Sequence, residues 1–160
     1  MRRLKRPIAG ALGALLLLLL LAACGSASTK DVPVSQITEA VSAAIGKTDD
    51  LIDLDATFLG YTRLNPEDLG DYAVLVNAYG ANIDEYGVFK AGTKTAAELK
   101  TVVDGYLESR KAAWMEAYMP EEKPKMMAAE ARVSGDYVIY CILSDSDKTA
   151  AFQAFENAIR

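Results

Sequence analysis

Tyr137-Val-Ile-Tyr-Cys-Ile-Leu143 is an unbroken run of apolar and aromatic residues. β-Branched and aromatic side chains favour extended backbone. Because successive side chains of a strand point to opposite faces of a sheet, this run places apolar residues on both faces. The stretch therefore predicts a strand at the centre of a sheet.

Two hairpins are expected around this strand. Glu130–Val133 precedes it across a Ser134-Gly135 turn, so these segments predict one hairpin. Tyr72–Tyr79 is rich in β-branched and aromatic residues, and Ile83–Lys90 follows it across a turn at residues 80–82. The sequence thus predicts about four antiparallel strands.

Two helices have clear boundaries in the sequence. Pro33–Gly46 has apolar residues on one face, Ser35 as a candidate N-cap and a terminal glycine. Thr95 and Glu98 have the spacing of a capping box, which predicts a helix that extends to about Tyr118.

The other segments complete an α+β pattern. Residues 47–69 are expected to be loop and short helix, residues 121–128 a shorter helix, and Asp145-Ser146-Asp147 the cap of a final helix. This order predicts an α+β fold, a small antiparallel sheet with helices packed on one face. A single globular domain is expected over residues 33–160.

The N-terminus predicts export and lipid attachment. Four basic residues within the first six precede an apolar run, residues 8–23, with seven consecutive leucines. The run ends in Leu21-Ala-Ala-Cys24, which resembles the lipobox of bacterial lipoproteins. The resemblance implies a cleaved signal peptide over residues 1–23, acyl chains such as palmitate on Cys24, and a flexible tether over residues 24–32.

Two other interpretations of the leader stay open: an uncleaved membrane helix and an ordinary secretion signal. The apolar run of residues 8–23 is shorter than the ~20 residues of a spanning helix, which favours lipidation. A lipid on Cys24 would hold the domain on the extracytoplasmic side of the cell membrane, with the membrane as its partner.

The charge of the chain divides at Cys24. Four of the 17 Lys and Arg residues and none of the 22 Asp and Glu residues precede it, so 13 basic and 22 acidic residues leave a formal net charge of −9. A nucleic-acid partner is not expected, because a phosphate-binding surface needs clustered Lys and Arg. The length excludes a large two-domain enzyme.

The absence of histidine limits the chemistry of the chain. It excludes Ser-His-Asp and Cys-His catalysis and the usual zinc sites, so we expect no cofactor and no metal. With Cys24 lipidated, Cys141 has no disulfide partner in the chain, and its apolar surroundings predict a buried, inert thiol.

Carboxylates could still act in pairs, as in the hydrolysis of glycosidic bonds. The candidate pairs are Asp84 with Glu85, Glu67 with Asp68, and Asp145 with Asp147. Acids at turns and helix N-termini also cap backbone amides, and that interpretation is favoured for these pairs. The sequence therefore assigns no catalytic residue.

An acidic stretch invites comparison with a calcium loop. Asp53, Asp55 and Thr57 have the one-three-five spacing of calcium ligands. However, Phe58 stands where the loop needs glycine, and Leu64 stands where it needs glutamate. A solvated loop is therefore expected.

Aromatic residues offer a possible recognition surface. Tyr106, Trp114 and Tyr118 share a predicted helix face, which either fills the core or lines a ligand groove. Further tyrosines could furnish a partner surface; they are Tyr61, Tyr79, Tyr86 and Tyr140.

Several short motifs occur in an order that resembles a known family. They are Asp84-Glu-Tyr-Gly-Val-Phe-Lys90, Leu107-Glu-Ser-Arg110, Tyr118-Met-Pro120, Val133-Ser-Gly-Asp-Tyr-Val138 and Ser144-Asp145. With the lipobox, this order resembles the small bacterial lipoproteins of domain of unknown function 4358, over roughly residues 35–160. The resemblance implies an extracytoplasmic setting, and it supplies no activity, ligand or catalytic residue.

The expected function is a non-enzymatic binding or accessory module at the cell envelope, with an envelope protein or a small molecule as its partner. One alternative is a carboxylate-dependent enzyme acting on cell-envelope polymers, for which Asp84 and Glu85 are the candidates. A purely structural envelope protein is the other.

Overall fold

The sheet of the protein is antiparallel throughout. The computed structural model describes residues 29–47, 50–77, 80, 82–115 and 117–160. The strands in these residues follow the order β1-β2-β3-β5-β4 across the sheet. They are β1 (Leu51–Asp53), β2 (Leu69–Asn77), β3 (Glu85–Ala91), β4 (Glu130–Ser134) and β5 (Tyr137–Ile142).

Helices connect and flank the strands. They are α1 (Val34–Ile45), α2 (Asp55–Thr62), α3 (Ala96–Ala112), α4 (Lys123–Met127) and α5 (Asp145–Ala158), with short 3₁₀ helices at Pro66–Asp68 and Pro120–Glu122. None of the helices in the described part of the chain is long and apolar enough to cross a membrane.

The apolar run that predicted a central strand forms β5, which lies between β3 and β4. Every residue of β5 is buried. Ile139 and Cys141 face one side of the sheet, and Val138 and Tyr140 face the other. The prediction of an interior strand is confirmed, and its side chains divide the interior into two apolar clusters.

Each cluster lies under its own helices. Ile139 and Cys141 pack with α1 and α5, whereas Val138 and Tyr140 pack with α3 and with Phe58 of α2. The predicted α+β class and antiparallel sheet are confirmed. The helices cover both faces of the sheet instead of one, because strands that are apolar on both faces need cover on both.

The region expected to be loop and short helix contains a strand and a two-turn helix. β1 pairs with β2, from Leu51↔Asn77 to Asp53↔Leu75, and adds a fifth strand at the edge of the described sheet. Among the residues of α2, only Phe58 is buried. Neither β1 nor α2 has the periodic pattern of apolar residues from which a strand or a helix is predicted.

One of the two predicted helix caps is present, and the other is replaced by a contact from a residue distant in sequence. The Thr95–Glu98 capping box begins α3 as predicted. Ser35 does not cap α1, whose first amide, Val34 N, donates instead to Asp71 Oδ2 of β2 at 2.8 Å. α3 ends at Ala112, so Trp114 and Tyr118 lie beyond it.

The aromatic rings of Tyr140 and Phe89 lie against the Cα atom of Gly87 in β3. A Cβ at this position would lie 2.4 Å from Cε1 of Tyr140 and 3.0 Å from Cζ of Phe89. These two rings stack with their centroids 6.0 Å apart. Only glycine leaves the rings this space.

We predict that Gly87→Ala lowers the free energy of unfolding by about 1–3 kcal/mol, because an overpacked core must shift its rings and backbone. Urea denaturation of the purified protein measures the change. The matched control is Gly60→Ala in α2, where an added Cβ has no neighbour within 4 Å and helix propensity improves. Equal stability of the two variants would contradict the prediction.

Candidate functional site

A cleft of about 560 Å³ opens between α2, α3 and one end of strands β2 and β3. Tyr61 stands at its rim and is 70% exposed. The walls combine apolar side chains with hydroxyl groups; the lining residues are Leu54, Thr57, Tyr61, Thr62, Val76, Glu85, Val102, Gly105, Tyr106, Ser109 and Arg110.

Glu85 forms the charged floor of this cleft, and only 1% of its surface is exposed. Its Oε1 accepts hydrogen bonds from the hydroxyl groups of Tyr106 at 2.6 Å and Tyr140 at 2.7 Å. Its Oε2 accepts one from Nη1 of Arg110 at 2.9 Å. Three donors therefore offset the cost of burying the carboxylate.

Local geometry brings these groups together. Glu85 begins β3 opposite Ile142 of β5, and Tyr140 lies two residues along β5, on the same face. Tyr106 and Arg110 are four residues apart on α3, so their side chains are neighbours. The guanidinium of Arg110 also lies over the Tyr106 ring, 5.5 Å from its centroid.

The two tyrosines are held in their protonated, donating form. Burial raises the pKa of Tyr140 well above its usual value, and the nearby charge of Glu85 raises it further. Burial and then the Glu85 charge raise the pKa of Tyr106 in the same way. Both hydroxyl groups therefore remain donors to Glu85 throughout the physiological range.

A second cavity, of about 300 Å³, adjoins the cleft and shares Val76, Glu85 and Arg110 with it. Trp114 and Tyr118 also line it. The Nε1 atom of Trp114 is buried and has no hydrogen-bond partner within the described part of the chain. Arg110 thus stands between two lobes of one groove.

Some of the aromatic residues fill the core, and others line a cavity or are exposed. Tyr106 packs in the core and reaches the cleft, whereas Trp114 is half-buried and Tyr118 is exposed along the second cavity. Tyr86 and Tyr140 are fully buried, so neither belongs to a partner surface. Burial raises the pKa of Tyr86 to about 12.

The carboxylate of Asp84 belongs to a different group of charges. It is 2% exposed and pairs with Lys47 and Lys125. Lys47 also binds Asp147 at 2.7 Å, and Lys125 also binds Glu122 at 2.5 Å. The network joins the end of α1, the start of α5 and α4, and Asp84 is absent from the described lining of the cleft.

Of the other acidic candidates, Asp68 binds a backbone amide and Asp145 and Asp147 bind lysines, whereas Glu67 is exposed. Asp68 Oδ2 accepts from Asn65 N at 2.9 Å within the capping box of its 3₁₀ helix. Asp145 pairs with Lys148 at 3.1 Å, and the cap of α5 is the hydroxyl of Ser144, which accepts from Asp147 N. None of the three pairs presents two carboxylates to the cleft.

The acidic stretch that resembled a calcium loop also binds backbone amides. Asp53 Oδ1 accepts from the amide of Asp55, and Asp55 Oδ1 accepts from the amide of Val74. Burial raises the pKa of Asp55 to about 6, and the negative charge of Asp53 adds to this effect. The carboxylates here fix the start of α2 to β2.

The structure describes one of the two cysteines. Cys141 is buried on the α1–α5 side of the sheet, as predicted, and burial raises the pKa of its thiol. Cys24, like Tyr79, lies outside the described residues. The predicted signal peptide, residues 1–23, lies outside them as well.

The fold and cleft define a small α+β module with a charged, hydrogen-bonded floor in a partly apolar groove. The family model for the domain of unknown function DUF4358 matches residues 53–143, more than half of the chain. The protein belongs to this family. No curated protein and no solved structure matches the chain.

The family match covers the whole floor of the cleft. Glu85, Tyr106, Arg110 and Tyr140 all lie within residues 53–143. Arg110 was not among the residues that sequence analysis proposed for a site. The one local signal was its spacing of four residues from Tyr106, which places both side chains on one helix face.

We predict that Glu85→Gln lowers the free energy of unfolding by about 2–3 kcal/mol, because the guanidinium of Arg110 loses its buried counter-charge. The matched control is Glu108→Gln on the exposed face of α3, where the loss of an exposed ion pair changes stability by less than about 0.5 kcal/mol. Urea titration of both variants measures the difference, and a loss for Glu85→Gln no larger than that of the control would contradict this account of the floor.

Proposed function

We propose that the mature protein is an extracytoplasmic lipoprotein, held at the cell membrane through Cys24, whose domain binds a small ligand in the cleft. The sequence supports the anchor: basic residues, an apolar run and Leu21-Ala-Ala-Cys24 follow one another in the order of a lipoprotein signal. Membership of the DUF4358 family is compatible with this role.

The binding role rests on one observation, the half-exposed guanidinium of Arg110 above a buried counter-ion. The side chain of Arg110 is 35% exposed, whereas that of Glu85 is 1% exposed. The contacts of Arg110 with Glu85 and Tyr106 both use Nη1. A guanidinium has five N–H groups in a planar fork, so within the described part of the chain donors at Nη2 and Nε remain for a ligand.

The same groove favours a ligand of one chemical class. The guanidinium of Arg110 is a donor only, so it pairs with acceptor oxygens such as those of a carbonyl or carboxylate. Leu54, Val76 and Val102 supply apolar wall beside it. The proposed ligand is therefore a small, partly apolar molecule that carries acceptor oxygens.

Binding is favoured over carboxylate catalysis by the composition of the cleft. Hydrolysis of a glycosidic bond by paired carboxylates needs two carboxyl groups about 5–9.5 Å apart on either side of the bond. Within the described lining, Glu85 is the one acid, and its two oxygens already accept three hydrogen bonds. This arrangement suits a fixed floor better than an acid or nucleophile.

The anchor is tested by Cys24→Ala in the full-length chain expressed in a bacterium. We expect the original chain to be in the membrane fraction with a lipid-modified N-terminal cysteine by mass spectrometry, and the variant to lose this modification. Cys141→Ala is the matched control and should remain anchored. An unmodified Cys24 in native material, or unchanged mass and membrane attachment of Cys24→Ala, would disprove the anchor.

The cleft is tested by filling it without altering its floor. Gly105 of α3 lines the cleft, and a Cβ added there has no neighbour within 4 Å. Gly105→Leu should therefore preserve the fold while occupying the cleft, and a leucine is a better helix former than glycine. Gly60→Leu on α2 adds the same side chain outside the cleft.

A set of aliphatic and aromatic carboxylates and amides, screened by ligand-detected NMR, provides the probes. We expect members of this set to bind the original protein and Gly60→Leu alike, and to bind Gly105→Leu at least about tenfold more weakly, since 1.4 kcal/mol of lost contact corresponds to tenfold in affinity. Equal binding by all three proteins, or no binding by any member of the set, would count against the proposed ligand class.

A further inference from the structure

Thr29–Val32, which lie within the predicted tether, are bound to one end of the sheet. Lys30 N donates to Ile159 O, beyond the C-terminus of α5, at 2.8 Å. The hydroxyl of Tyr137 accepts from Val32 N and donates to Val32 O, each at 2.8 Å. The chain is therefore hydrogen-bonded to two elements before α1 begins.

Two further contacts hold the same segment. Asp31 pairs with Lys90 at the end of β3. Thr29 lies so close to the β4–β5 turn that a Cβ on Gly135 would be 2.2 Å from its Oγ1. We call this end of the sheet, comprising Lys90, Gly135, Tyr137 and Ile159, the docking end.

The cleft lies at the opposite end of the sheet. β3 runs from Glu85 at the floor of the cleft to Lys90 at the docking end, five residues later. At ~3.4 Å per residue, the strand separates these points by ~17 Å. α3 also extends between these two ends. Lys94 and Thr95, just before the helix, share a surface cavity with Gly135 of the docking end, whereas Arg110 lies at the cleft.

We infer that the docking end is the surface that faces the lipid headgroups and that the cleft opens away from the membrane. This inference rests on the proposed anchor at Cys24. Five residue steps separate Cys24 from Thr29, so the body of the protein is held within ~17 Å of the lipid. Because Thr29–Val32 are bound to the docking end, that end is tethered closest to the bilayer.

The charge of the domain limits its contact with the bilayer. Its formal net charge is −9, from 13 basic and 22 acidic residues after the leader. An anionic bilayer surface repels a domain of this sign, which disfavours a domain lying flat on the headgroups. With the docking end toward the bilayer, a ligand of the cleft arrives from the aqueous side.

Energy transfer from single sites to labelled headgroups tests the orientation. The lipidated full-length protein, purified from cells, is reconstituted in vesicles of phosphatidylcholine and phosphatidylglycerol that contain a rhodamine-labelled lipid. A donor dye is attached at Asp136→Cys near the docking end or at Tyr61→Cys on the rim of the cleft; both positions are exposed. Cys141 is buried and does not compete for the dye.

We expect higher transfer efficiency from position 136 than from position 61. Equal efficiencies, or a higher one from position 61, would overturn the inference. A flexible Gly-Ser spacer of about twenty residues, inserted between Ser28 and Thr29, should reduce both efficiencies and the difference between them, since it adds ~25 Å of reach. A difference unchanged by the spacer would show that the tether does not set the orientation.

The anchor and the orientation can fail separately. Mass spectrometry of the purified protein reports whether Cys24 carries lipid. If it does not, residues 1–23 are replaced by a hexahistidine tag and Cys24 by serine, the chain is held on the same vesicles by a nickel-chelating lipid, and the two dye positions are compared again. A lower efficiency at position 61 in that preparation supports the orientation imposed by the docked segment, and any other result overturns it.

Discussion

A buried carboxylate organises one half of the molecule. Transferring the charge of Glu85 out of water would be costly without partners, and the protein meets this cost with two tyrosine hydroxyl groups and a guanidinium. These partners come from α3 and β5, so the packing of α3 over the sheet and the hydrogen bonding of Glu85 depend on each other. Arg110 can remain partly in solvent because its counter-ion is fixed below it.

The adjacent residue shows how strand geometry separates two like charges. Asp84 precedes β3 and Glu85 begins it, and each has its own cations: Lys47 and Lys125 for Asp84, and Arg110 for Glu85. Neighbouring side chains of an extended backbone point in opposite directions. Two acids that look like a pair in the sequence therefore serve two sites, an ion-pair network that links three helices and the floor of a cleft.

The parts of the fold that could be predicted are those encoded by local patterns. Continuous apolar residues identify β5, and the spacing of Thr95 and Glu98 identifies the start of α3. The edge strand β1 was missed because three residues cannot establish a period, and the cap of α1 was missed because Asp71 is distant in sequence. The site was only partly predictable: Glu85 was considered, but the contact that gives it a role joins residues 21 to 55 positions apart.

The burial of Cys141 has a consequence for the lifetime of the protein. A thiol enclosed between β5 and two helices, with its pKa raised by burial, forms almost no thiolate and offers no sulfur atom to an oxidant or to a small disulfide. This thiol therefore needs no partner cysteine for its protection. Its packing makes it indifferent to the redox potential of the compartment around the protein.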